Sequence, residues 1–313
     1  MTEGTAAIAP APIVRPDAAL GEAAPLAGAA DFVALLKPRV MTLVVFTAFV
    51  GMVLAPGAPH PVIALIALLC TAVGAGAAGA RNNLYEADND APMDRTPGRP
   101  IPAGRMAPGD ALGFGVTLAL GAVIVMGLAV NLAAAALLAA TILYYVVIYT
   151  VWLKRRTPQN IVIGGAAGAL APIIGWTAAG GEITVFPLLL FAIVFVWTPP
   201  HFWALSLHAS RDYQRAGVPM LPVVAGEDET RRQMLYYAVA LIPLCAAPWA
   251  LGLTGAVYGA SALVLTMAFA GLAFRLRRTP SRRLASRMFG FSILTLFVIF
   301  AAFLVDQSVV GAA

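Results

Sequence analysis

Asn82, Glu86 and Asp90 stand at i, i+4 and i+8, directly after an apolar run that ends in Ala77-Ala78-Gly79-Ala80. If the helix continues through them, they share one face. Glu86, Asp88, Asp90 and Asp94 put four carboxylates within nine residues, in a chain of which only 11% is charged. Carboxylates that close repel one another unless a cation sits between them. Hard oxygen ligands suit Mg2+, which keeps part of its water shell. Asn82, Glu86 and Asp90 therefore read as ligands of a divalent metal at the mouth of a helix. Arg95 and Arg99 follow at once, and Lys154-Arg155-Arg156 form a second basic group. Carboxylates alone would suit cation storage, whereas carboxylates with Lys and Arg suit a metal-bridged phosphate or diphosphate.

A third stretch with chemistry in it runs from His201 to Arg232. It holds Trp203, His208 and Asp212, but Asp212 is the single carboxylate between His201 and Asp212. Two short-range alternatives exist for His201: a ligand or acid–base group, or a packed ring beside the Pro199-Pro200 kink. Asp88 and Asp94 are either supporting groups around the metal or solvated loop acids, the latter being favoured.

The elements that must carry these residues are membrane helices. Mean hydropathy is +0.85, and 60% of residues are hydrophobic. About 20 apolar residues span a bilayer. Nine such runs are present: 38–54, 62–80, 111–130, 132–152, 161–179, 185–207, 234–253, 256–274 and 288–305. Lipid cannot satisfy exposed backbone groups, so the runs must be helical. With a cytoplasmic N-terminus, all 20 Lys and Arg fall in the tail and in the loops after the second, fourth, sixth and eighth spans. The opposite side holds only Glu182, Asp306 and His60. This distribution predicts cytoplasmic loops on the basic side and an extracytoplasmic C-terminus. The Arg275–Arg283 group reads as membrane anchors on the same ground.

The basic pI of 9.5 is thus a topology signal, and no basic–aromatic pattern points to nucleic acid. Cys70 and Cys245 lie within apolar runs and read as packing residues. Residues 1–31 form an Ala- and Pro-rich N-terminal tail expected to be disordered, ahead of one transmembrane domain over 32–313. The tail lacks the features of a signal or transit peptide, which points to a bacterial inner membrane. The expected fold is all-α and polytopic, with about nine transmembrane helices around a central cavity that opens to the cytoplasmic side. The chemically loaded loops after spans two and six lie four spans apart, which suggests two four-helix halves plus one helix and a site at their interface.

Asn82-x3-Glu86-x3-Asp90, with Met93-Asp94-Arg95-Thr96 and Arg99-Pro100, resembles the first motif of the UbiA-type intramembrane prenyltransferases. The family pattern is Asn-x3-Asp-x3-Asp, so Glu86 keeps the carboxylate on a side chain one methylene longer. Tyr149-Thr150-x-x-Leu153-Lys154-Arg155-x-Thr157-x-Gln159-Asn160-Ile161 is similar to the protohaem IX farnesyltransferase branch. So are Trp197-x-Pro199-Pro200-His201-Phe202-Trp203 and Asp212-Tyr213-x-x-Ala216-Gly217-x-Pro219-Met220-Leu221-Pro222.

The resemblance covers residues 32–305 and implies conversion of haem B to haem O. Farnesyl diphosphate is the donor, water is added, diphosphate leaves, and Mg2+ is the cofactor. It implies a metal site of Asn82, Glu86, Asp90 and Asp212, with Lys154 joining them in catalysis. Arg95, Arg99, Lys154 and Arg155 would bind diphosphate. His201, His208 and Trp203 would lie at the haem acceptor. Tyr144, Tyr145, Tyr149 and Trp176 would line the prenyl or porphyrin pocket or anchor the membrane interface. The implied setting is the lipid bilayer beside haem A synthase or oxidase assembly factors, in support of haem–copper oxidase assembly, with no nucleic acid partner. His201 and His208 stand where relatives with quinone-type acceptors have acids, which puts a second, fully carboxylate-bound metal in doubt. Two rivals remain: an aromatic or quinone-precursor acceptor, and a non-catalytic haem transporter or assembly factor. Rim-gathered ionisable groups favour the enzyme over the transporter.

Overall fold

The computed structural model describes residues 27–87, 96 and 98–310, leaving Asp88, Asp90, Asp94, Arg95 and residues 1–26 of the expected tail outside the description. The described chain is helical throughout. Its elements are α1 (Ala29–Leu35), α2 (Pro38–Leu54), α3 (Pro61–Tyr85), α4 (Pro108–Ala129), α5 (Leu132–Leu143), a π-helical segment (Tyr144–Leu153), α6 (Asn160–Ala169), α7 (Ala171–Ala178), α8 (Val185–His208), α9 (Ser210–Arg215), α10 (Leu221–Val224), α11 (Gly226–Ala250), α12 (Ala256–Arg278) and α13 (Arg282–Val310). Eight helices or continuous helix pairs among the described residues are long and apolar enough to cross a bilayer. The bent pair α1 and α2, at 58°, makes a ninth. The expectation of about nine spans, read from apolar runs, matches this arrangement. The protein is a multi-pass membrane protein.

Apolar burial falls into two groups. One joins α2, α3, α4, α5 and α7 through residues such as Met52, Met126, Leu138, Ile174 and Trp176. The other joins α8 with α11, α12 and α13 through Leu190, Trp203, Met234, Tyr258, Phe269 and Phe300. This division fits two helix sets with α13 added to the second. At the seam, α2 and α7 approach until their backbones touch. A Cβ at Gly51 would overlap the Pro172 carbonyl, and a Cβ at Gly175 would overlap the Ala48 carbonyl. Within lipid, close backbone approach is what small residues supply, because burial against a neighbour gains little over burial in acyl chains.

Three departures from plain α-helical spans position the polar end. Span four unwinds at Tyr144 into ten residues of π-helix. Its run of aromatic and β-branched residues, Tyr144-Tyr145-Val146-Val147-Ile148-Tyr149-Thr150-Val151-Trp152, crowds tight α turns. Span five is divided at Leu170, just before Pro172. Span one is bent at Lys37, the residue before Pro38 and the one described non-glycine residue with positive φ (52°). Away from the polar end, the buried Asp306 of α13 accepts from the Tyr258 N–H at 3.0 Å, capping the N-terminus of α12. A carboxylate there meets unsatisfied backbone donors and the positive end of a helix dipole, so Asp306 has a structural employment.

The seam makes a direct prediction. Gly175→Ala lowers the thermal midpoint of the purified protein in detergent, as overpacking by about 1–3 kcal/mol does. Gly168→Ala, whose added Cβ meets nothing within 4 Å, leaves that midpoint within roughly 1 °C or raises it.

Candidate active site at the helix ends

α3 delivers Asn82 and Glu86 to the end of the bundle that bears the basic residues. Both are buried, 2% and 6% exposed. α3 closes at Tyr85, and Glu86 occupies its C-cap. The bent junction between α1 and α2 is fastened over this end. Asn83 donates from Nδ2 to the Leu35 carbonyl at 3.3 Å, and Lys37 donates from Nζ to Asn82 Oδ1 at 2.9 Å. The stem of Lys37 crosses α3 at Gly79, where a Cβ would stand 3.8 Å from the Lys37 Cδ.

The π-helical segment forms the opposite wall. Its i→i+5 winding puts Tyr145 beside Thr150 and Tyr149 beside Lys154. Thr150 donates to the Tyr145 carbonyl at 2.9 Å, and the Lys154 N–H donates to the Tyr149 carbonyl at 2.9 Å. Thr150 Oγ1 then meets Asn82 Nδ2 at 3.4 Å, a long contact, and the Lys154 ammonium pairs with Glu86 Oε1. The two side chains of this pair are 15% and 7% exposed. Among the described residues, Asn83 Oδ1 and the fully buried Asn160 Oδ1 are open acceptors. Open, buried oxygens of this kind are what a hard cation or a donor-rich ligand would satisfy.

Around this centre, Arg155 donates to the Tyr85 carbonyl at 2.6 Å and lies 4.6 Å from the centre of the Tyr85 ring. Its charge thereby supports the C-terminus of α3. Lys154 lies 5.6 Å from the Tyr149 ring centre. Tyr145 and Tyr149 stack obliquely at 5.1 Å. The Tyr149 ring fits against Gly164, where a Cβ would overlap it. Tyr213 packs with Ile161, Val218 and Met220. The α9 loop is therefore drawn to the same end as the Lys154 turn.

The structure brings Asn82, Glu86, Lys154 and Arg155 together, and Arg99 lies in the turn from Thr96 to Ala103. Asp90 and Arg95 lie outside the described residues. Asp212 pairs with Arg215 within α9, and among the described residues no three His, Cys, Asp or Glu side chains converge as a metal site. His201 is held as a packed ring, 4.2 Å from Trp197 and 4.6 Å from Phe289 between ring centres. Its Nδ1 meets Ser292 Oγ at 2.6 Å. Ser292 donates its hydroxyl to the Phe289 carbonyl at 2.6 Å, so the hydrogen-bond network assigns the proton to His201 Nδ1 and leaves the lone pair on Nε2. Trp203 is 1% exposed in the core against Tyr237. His208 is exposed at the end of α8. Lys37 is a site neighbour that motif reading missed, and Thr150, quoted within the second motif, was given no site role there. The signal available for Lys37 was its position before Pro38, where no ordinary helical residue is needed.

Apolar surface adjoins the polar end. A groove of 590 Å3 between α2 and α3 begins at Leu36 and Pro38, on either side of Lys37, and continues past Met41, Val45 and Phe49. A second, of 380 Å3, lies between α2 and α13.

Residues 44–303 match the sequence model of the UbiA prenyltransferase family. The chain is 55% identical over 282 residues to a protoheme IX farnesyltransferase of Erythrobacter litoralis, covering 88% of this chain and 92% of that one. It is 60% identical over 284 residues to a protoheme IX farnesyltransferase of Rhodopseudomonas palustris, covering 90% and 91%. A solved UbiA homolog from Archaeoglobus fulgidus, bound to DMAPP and Mg2+, superposes with a TM-score of 0.65 at 16% identity, over 87% of this chain and 99% of that one.

Removing one partner of the buried Glu86–Lys154 pair leaves the other charge uncompensated. Lys154→Met therefore lowers unfolding stability in detergent by about 3 kcal/mol. The double variant Glu86→Gln/Lys154→Met recovers more than half of that loss. Additive losses in this double-mutant cycle would show that the two groups do not interact.

Proposed function

The chain belongs to the UbiA prenyltransferase family, and from that premise we propose that it converts haem B to haem O. A farnesyl group passes from farnesyl diphosphate to a haem vinyl group, water adds, and diphosphate leaves. The names of the close relatives support this reading. The observation that carries it in this chain is the buried grouping of Asn82 and Glu86 oxygens with Lys37 and Lys154 ammonium groups at one end of the membrane helices.

The donor set fits Mg2+: an amide oxygen and a carboxylate oxygen, both buried and each matched by a lysine ammonium that a cation would replace. Asn82, Glu86 and Asp90 would hold the ion, with Asp212 as the candidate from α9. The likeness to a fold whose solved example is bound to DMAPP and Mg2+ agrees with this assignment. Mg2+ when bound supplies Lewis-acid neutralisation of diphosphate charge.

The protein's own residues do the rest. Lys154, Arg155, Arg95 and Arg99 present fixed positive charge to the diphosphate. Charge placed where it develops stabilises the transition state most in a site of low dielectric constant. The stacked Tyr145 and Tyr149 rings wall the position where the allylic carbon loses its oxygen, and an apolar surround delays capture by water until the haem vinyl carbon has reacted. The new cation beside the macrocycle then takes up water and releases one proton to solvent, which leaves a hydroxyethylfarnesyl substituent. His201, through the Nε2 lone pair that Ser292 leaves available, is the acceptor-side group; Trp203 and His208 stand on the same helix, one packed and one exposed.

The membrane is that of a bacterial cell, with the N-terminus cytoplasmic, the C-terminus extracytoplasmic and the central cavity opening to the cytoplasm. The basic residues then face the compartment where diphosphate is released. Residues 32–313 act as one domain, and haem A synthase or oxidase assembly factors are the partners that would consume haem O.

Membranes bearing the protein, supplied with haem B, farnesyl diphosphate and Mg2+, form haem O detectable by mass spectrometry. Asn82→Ala and Asp90→Ala each reduce the rate by roughly 100-fold or more, and chelation of Mg2+ abolishes it. Absence of haem O from the wild type, or product on a quinone precursor instead, refutes the assignment. Haem B binding, read from the Soret band, weakens in His201→Phe and is unchanged in His208→Ala.

A further inference from the structure

Lys37 has a backbone that its side chain does not explain by local preference. Its φ and ψ are 52° and 57°, in the left-handed region that costs an L-residue free energy. Steric conflict with the Pro38 ring disfavours helical conformations at this position too. Glycine would occupy the bend without strain. The structure nevertheless holds a lysine there, running its stem over Gly79 and ending 2.9 Å from Asn82 Oδ1. That oxygen is the one by which Asn82 would bind a metal. The same relation recurs across the site, where Lys154 stands on Glu86 Oε1. Asn82 and Glu86 thus each turn one oxygen to a lysine ammonium.

We propose that Lys37 is an exchangeable counter-ion: it occupies the Asn82 side of the metal site when no divalent cation is present, and transfers to the diphosphate when the metal–diphosphate complex enters. The physical ground is charge conflict. An ammonium and a dication on one amide oxygen repel each other at short range, and a buried site screens them poorly. Either the metal is excluded or Lys37 moves. A diphosphate supplies the anionic oxygens to which Lys37 can move, and its flexible four-carbon stem permits the shift. Metal alone is then disfavoured and metal with diphosphate is favoured, so the site loads with the pair. Lys37 acts here as a positioning residue that couples metal occupancy to diphosphate.

This rests on the assignment of Asn82 and Glu86 as metal ligands, and the test separates the two. Mn2+ binding to the purified full chain is measured by electron paramagnetic resonance, without and with inorganic pyrophosphate. Wild type should bind Mn2+ weakly alone and tightly with pyrophosphate. Lys37→Met and Lys37→Gly should bind Mn2+ alone roughly tenfold more tightly, and bind pyrophosphate in the presence of Mn2+ roughly tenfold more weakly. The glycine variant also relieves the left-handed backbone, so its folding is secure. Opposite signs for the two affinities are not what loss of a merely structural clamp would give. Unchanged or weakened binding of Mn2+ alone in both variants overturns the role of Lys37. Failure of the wild type to bind Mn2+ even with pyrophosphate overturns the metal-site assignment itself.

Discussion

A set of buried oxygens at the end of membrane helices must be matched by positive charge, and the architecture around α3 follows from that need. Asn82 and Glu86 are nearly inaccessible, and an unpaired carboxylate in such surroundings is costly. Lys37 and Lys154 answer it from opposite sides, one from the bend before α2 and one from the turn after the π-helical segment. An arrangement that held the oxygens any deeper would lose access for a charged ligand. One that exposed them would forfeit the low dielectric constant that makes each charge effective.

The irregular features of the backbone fall where this matching is done. A π-helix is a poor way to cross a membrane, yet its i→i+5 register sets Thr150 toward Asn82 and Lys154 toward Glu86 at once. The left-handed bend at Lys37 is strained, yet it aims an ammonium at Asn82. Strain of this kind persists only where the surroundings over-determine it. The Asn83 bond to Leu35 and the glycine contacts between α2 and α7 supply that constraint. The opposite end of the bundle is plainer, with Asp306 spent on a helix cap.

Much of this was legible in the residues. Lipid permits few backbone solutions, so apolar run lengths sufficed for the spans, and the expected start of span one at Pro38 coincides with α2. The i, i+4 spacing brought Asn82 and Glu86 to one place, and the Lys154-Arg155 pair meets that end of α3. What periodicity could not convey was local winding. The aromatic and β-branched run over Tyr144–Trp152 crowds α turns without specifying a register, so the alignment of Tyr145 with Thr150 had no signature. Lys37 was read only as a cytoplasmic charge, because its reach to Asn82 depends on a bend that no apolar pattern encodes. His201 had two open readings, and the ring stack with Trp197 and Phe289 comes from α13, some ninety residues away.

The central claim is that Asn82 and Glu86 hold a cation in contact with a diphosphate. Electron–nuclear double resonance on the protein loaded with Mn2+ and farnesyl diphosphate addresses it most directly. The account predicts a 31P hyperfine coupling from phosphorus bonded through oxygen to the metal, lost when Asn82 and Glu86 are both replaced by alanine. Bound Mn2+ that shows only water protons, or a 31P coupling that survives the double replacement, would contradict it.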